Sequence, residues 1–114
     1  MSLQIFLDVD GVLVDFVGGA AKLLSYDPAV VDHWDYYAAI GYTEKDFWEA
    51  ISNAGPEFWE NLESYTWADA LYARCCNYGP VTLLSSPSAC PTSDIGKKNW
   101  IKRKFGRGFR KYLL

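Results

Sequence analysis

At 114 residues the chain has the length of one domain, and with half of its residues hydrophobic and 17% aromatic it is a globular sequence rather than a disordered one. No apolar run approaches the ~20 residues that span a bilayer, and the amino terminus lacks a charged segment followed by a long apolar one, so no membrane partner and a cytoplasmic location are expected. The net charge is only −3, and the three cysteines, Cys75, Cys76 and Cys90, are odd in number without C-x-x-C spacing, which points to buried thiols rather than a disulfide framework or a zinc site.

In chain order, the first element is an apolar run over residues 5–9 that reads as a buried strand. It delivers two carboxylates, Asp8 and Asp10, at its carboxyl end, where open α/β sheets hold their ligands. Residues two apart on an extended chain point the same way, so both acids can face one reaction centre. Gly11 then permits a sharp turn. Like charges this close repel, and a divalent cation with oxygen ligands is the simplest means of keeping both ionised.

The run Asp8-Val9-Asp10-Gly11-Val12-Leu13 resembles the first motif of the haloacid dehalogenase superfamily of phosphotransferases, and its continuation Val14-Asp15-Phe16 is similar to the 5'(3')-deoxyribonucleotidase family. The resemblance implies an α/β fold: a partial HAD-like (Rossmannoid) parallel sheet with a helical cap inserted after the first strand. The single domain would have its core at residues 1–16 and 67–114 and its cap at about 17–66. It implies Asp8 as the nucleophile toward phosphorus and Asp10 as the general acid/base. Mg2+ would be held by Asp8 and Asp10, the latter through its backbone carbonyl.

Asp15 can cap a helix over residues 16–24, and Pro28 can open another to about residue 37. Thr43-Glu44-Lys45-Asp46 is a capping-box-like start for a helix through residue 51, and Pro56 can begin one or two further helical turns. Aromatic residues crowd this segment, and most must fill the core of the helical layer. By the resemblance a nucleobase would stack among a few of them: Phe16 matches the family's Phe directly, and Trp34 and Trp48 by approximate alignment. His33 is the only histidine and is read as a polar residue, not a catalyst.

Helical periodicity returns over residues 68–77, followed by a short apolar strand, Val81-Thr82-Leu83-Leu84, that ends in Ser85-Ser86-Pro87. A strand ending in hydroxyls matches the superfamily's second motif. Ser85 would donate to a phosphate oxygen and Ser86 would assist. Thr92 or Ser93 can cap a helix through about residue 105, and residues 110–114 read as the start of a third strand.

The last eighteen residues hold eight of the eleven Lys and Arg and no acid. Trp100, Ile101 and Phe105 fall on one helical face, with most charges on the other, so a solvated basic face that steers phosphates is expected in preference to a nucleic-acid site. Lys97 and Lys98 are assigned to that surface. The family's third motif, a phosphate-binding Lys, and its fourth, an acidic pair on the metal, are expected to lie beyond the chain. The first strand would then keep an open edge through which the chain dimerises or swaps elements.

Two functions are expected from these residues: a Mg2+-dependent phosphatase of (deoxy)nucleoside monophosphates acting through an aspartyl-phosphate, or a catalytically incomplete fragment serving as a binding module. A phosphatase of another small phosphoester is a variant of the first.

Overall fold

The computed structural model describes residues 3–31, 37–85 and 92–114. It is a mixed α/β structure with a three-stranded parallel sheet, β1 (Ile5–Asp8), β2 (Val81–Leu84) and β3 (Tyr112–Leu113), in the order β1-β2-β3. Between β1 and β2 the chain is helical: α1 (Phe16–Leu24), α2 (Glu44–Asn53), α3 (Pro56–Glu60) and α4 (Ala68–Cys76); α5 (Ser93–Phe105) connects β2 to β3. Among the described residues no helix is long and apolar enough to cross a membrane.

Local sequence accounts for the helix starts. The Asp15 carboxylate accepts from the Gly18 amide at 2.9 Å to open α1, and the Thr43 hydroxyl accepts from the Asp46 amide at 3.1 Å to open α2. Each bond satisfies one donor that a helix leaves unpaired at its first turn. Thr92 occupies the cap position of α5 without a side-chain capping bond. The helix expected over residues 28–37 is, in its described part, a single 3-10 turn, Pro28–Val30, after which Val31 is extended. Of the cysteines expected to be buried, Cys75 is partly so, but Cys76 is exposed. Ala68, Leu71, Tyr72 and Cys75 recur at three- and four-residue intervals and pack on the core, whereas Cys76, the last residue of α4, does not join them.

The core joins Leu7 and Val9 of the first strand region and Val81 and Leu83 of β2 to Trp59, Trp100 and Ile101 from the helices. On α5 the buried positions are Ser93, Gly96, Lys97, Trp100 and Ile101, an i, i+3, i+4, i+7, i+8 stripe. Helices α3 and α5 pack closely enough that Gly96 has no room for a side chain: a Cβ there would lie 2.3 Å from the Pro56 carbonyl oxygen and 2.6 Å from Trp59 Cβ. Strand β1 has β2 on one side only among the described residues, and Phe6 on it is 55% exposed.

Gly96→Ala separates two opposing effects. Helix propensity alone would favour Ala by about 1 kcal/mol, whereas overpacking a close contact costs about 1–3 kcal/mol. Because the clash is with backbone and Cβ atoms that cannot rotate away, we expect a net loss of stability, read as a lower chemical-denaturation midpoint.

Candidate functional site

Strand register brings two chain tips together. Asp8 pairs with Leu84, and the Val9 amide donates to the Leu84 carbonyl at 2.9 Å, so Ser85 lies beside the residues that leave β1. The chain then turns at Gly11, whose φ of +78° favours glycine, and the Leu13 and Val14 amides donate to the Val9 carbonyl at 2.9 and 3.1 Å.

A strap from the helical segment holds this turn. The Asp15 amide donates to the Glu63 carbonyl and the Tyr65 amide to the Leu13 carbonyl, both at 2.9 Å. Trp67, stacked on Tyr65 with ring centroids 4.3 Å apart, donates its indole N–H to the Val12 carbonyl at 2.9 Å. The Tyr65 hydroxyl donates to the Asp15 carboxylate at 3.3 Å. Burial first, and then the negative Asp15 beside it, hold the Tyr65 hydroxyl above its ordinary pKa.

At the centre of the site the Asp10 Oδ2 atom accepts from the Ser85 hydroxyl at 2.8 Å and pairs with Lys97 Nζ at 3.0 Å. Lys97 is 6% exposed, and its ammonium also lies 4.9 Å from the centroid of the buried Trp59 ring. Removing an ammonium from water costs several kcal/mol unless an anion and further contacts compensate. Asp10 supplies the anion, and the Trp59 ring adds a cation–π contact that is stronger where water is scarce.

Lys97 is therefore not part of the solvated basic face to which its sequence context assigns it. Its spacing contained the signal, because it sits three and four residues before Trp100 and Ile101, on the apolar stripe rather than opposite it. Lys98 does match the surface assignment, forming an exposed i,i+4 pair with Asp94 at 3.4 Å.

The other expected residues fall as follows. Asp8 is exposed at the end of β1 and makes no hydrogen bond or ion pair among the described residues. Ser85 is buried at Asp10. Phe16 is engaged in packing: its ring stacks on Trp59 and Trp48 at centroid distances of 5.4 and 5.8 Å and meets Phe47 and Phe58 edge-on. Trp48 is partly exposed. Ser86, Trp34 and His33 lie outside the described residues.

Among the described residues no three His, Cys, Asp or Glu side chains gather into a metal-binding group. The arrangement nonetheless fits the modest protein donor set of Mg2+, which takes one or two carboxylates and leaves its other positions to water and phosphate oxygens. Asp8 is the carboxylate free to serve, while the Asp10 side chain is committed to Ser85 and Lys97. No protein-family model and no curated protein matches the chain.

Two outcomes follow from this geometry. Lys97→Met keeps the stem of the side chain but leaves Asp10 without its cation, which should destabilise the fold by about 2–3 kcal/mol, with Asp10→Asn in the same chain recovering part of the loss. A denaturation double-mutant cycle with no coupling would exclude the pair as a structural determinant. For Tyr65, a hydroxyl whose pKa is raised on folding contributes stability that is complete below its ordinary value near 10 and is lost as pH rises through the raised value. The stability of the natural chain relative to Tyr65→Phe should therefore hold steady up to about pH 10 and decline as the pH rises from there through the raised value, in pH-dependent urea unfolding.

Proposed function

We propose that this chain is a phosphatase of small phosphomonoesters of the haloacid dehalogenase type, with nucleoside monophosphates as substrates. The observation that carries the reading is the meeting of Asp10, Ser85 and the buried Lys97 just beyond the end of β1, two residues from Asp8. A cation and a hydroxyl next to a carboxylate nucleophile are what a phosphoryl group requires. Lys97 takes the phosphate-binding role that the superfamily gives to its third motif, so that role need not come from beyond the chain.

In this reading Asp8 attacks phosphorus through a carboxylate oxygen, and the bond from phosphorus to the ester oxygen breaks. Asp10, which takes up a proton from solvent as Lys97 and Ser85 turn to the phosphoryl oxygens, gives that proton to the departing oxygen. Water then attacks the aspartyl-phosphate and passes a proton to Asp10; the bond between phosphorus and Asp8 breaks, restoring the carboxylate and releasing phosphate. Lys97 and Ser85 balance charge on the phosphoryl oxygens, with Ser86 assisting. Mg2+, held by Asp8 and the Asp10 backbone carbonyl when bound, supplies neutralisation of developing charge. Phe16 and Trp48, stacked on each other and both half-buried, offer the aromatic surface for a base.

A second reading, a nucleotide-binding module without turnover, draws on the same Lys97 and Ser85 side chains. Release of inorganic phosphate from deoxynucleoside monophosphates in the presence of Mg2+ separates the two. We expect turnover that falls by about three orders of magnitude or more in Asp8→Asn. Equal rates in the two proteins would remove the nucleophile, and tight binding without phosphate release would establish the module.

A further inference from the structure

Two atoms in the inner wall of the site are buried and have no hydrogen-bond partner among the described residues: Asp10 Oδ1 and Trp59 Nε1. They are complementary in kind, because a carboxylate oxygen accepts and an indole N–H only donates. Both residues line one small cavity, walled otherwise by Val9, Val14, Leu62 and Trp100, with Lys97 alongside. The neighbouring donors are engaged elsewhere: the Trp100 indole N–H donates to the Leu62 carbonyl at 3.1 Å, and the Ser85 hydroxyl donates to Asp10 Oδ2.

Size selects the ligand. The cavity measures about 10 Å³, at the lower limit of the ~10–15 Å³ that one water molecule occupies and too small for anything larger. Two polar partners and room for a single molecule are what this cavity offers a buried water.

We propose that one buried water bridges Trp59 Nε1 and Asp10 Oδ1, accepting from the indole and donating to the carboxylate, and that Trp59 is thereby a positioning residue for Asp10. The torsion that turns a carboxylate about its last bond is broad. Ser85 and Lys97 hold only one oxygen of Asp10. The water holds the other, which fixes the plane of the group. Trp59 acts through that water and does not itself touch substrate. The positioning role rests on the phosphatase reading, whereas the water site does not.

The test uses the full chain labelled with 15N. The Trp59 indole N–H signal, identified by its disappearance in Trp59→Phe, should exchange slowly and show cross-relaxation with a long-lived water. Val14→Ile adds a methylene at the cavity wall with the indole intact and should abolish that cross-peak. With a deoxynucleoside monophosphate, Trp59→Phe should lower kcat about ten- to a hundredfold with KM little changed, the pattern of a misplaced catalytic group. The Trp100 indole signal reports whether the variant is folded.

Absence of the water cross-peak in the natural chain overturns the water site. A cross-peak together with unaltered kcat in folded Trp59→Phe overturns the positioning role. If the natural chain releases no phosphate, the phosphatase reading fails and takes the positioning role with it, while the cross-peak still decides the water.

Discussion

A lysine that is 6% exposed needs an anion, and in this chain the anion is Asp10 at 3.0 Å. Much of the surrounding structure serves that pair. Burying an ammonium is tolerable only with good geometry and additional polar contacts, and these come from three separate parts of the chain. Ser85 at the tip of β2 shares the Asp10 oxygen, Trp59 of α3 lies against the ammonium, and α5 carries Lys97 on its core-facing stripe. Because breaking one member leaves an uncompensated charge, the pair couples the sheet, α3 and α5 more tightly than apolar contacts alone would.

The close approach of α3 to α5 is a condition for this arrangement. Gly96 allows Pro56 and Trp59 to come near the α5 backbone, and one residue later Lys97 meets the Trp59 ring. On the opposite side, Trp67 and the backbone bonds between Leu13, Asp15, Glu63 and Tyr65 clamp the turn that follows Asp10. The helical segment between β1 and β2 thus holds the strand tip at both of its flanks. Its aromatic richness is largely structural: Phe16 alone packs on four ring neighbours.

Secondary structure was legible where local chemistry determines it. Asp15 and Thr43 cap helices because their short side chains reach amides three residues on, and the Asp8-to-Gly11 run marks a strand tip and a turn through apolar patterning and one glycine. Contacts between distant segments were less so. Lys97 stands among eight basic residues near the chain's end, a composition that reads as solvated surface. Helical phase outranks composition there, since the residues at plus three and plus four are Trp100 and Ile101. Trp59 carried no comparable signal: nothing local says that the second ring of Phe58-Trp59 would turn toward a lysine nearly forty residues further along.

The two acids of the first motif sit in unlike surroundings although they are two residues apart. The Asp8 side chain is exposed and unengaged among the described residues. Asp10 is held by a hydroxyl and an ammonium in a partly dry wall. Pairs of carboxylates divide the work of acid and nucleophile through such differences in environment. In this chain the difference is produced by the end of β1: Asp8 still follows the strand and points away from the core, whereas the turn beginning after Val9 brings Asp10 to the side where Ser85 and Lys97 lie. One carboxylate is thereby left open to solvent at the end of β1, and the other is held through one oxygen by a hydroxyl and an ammonium.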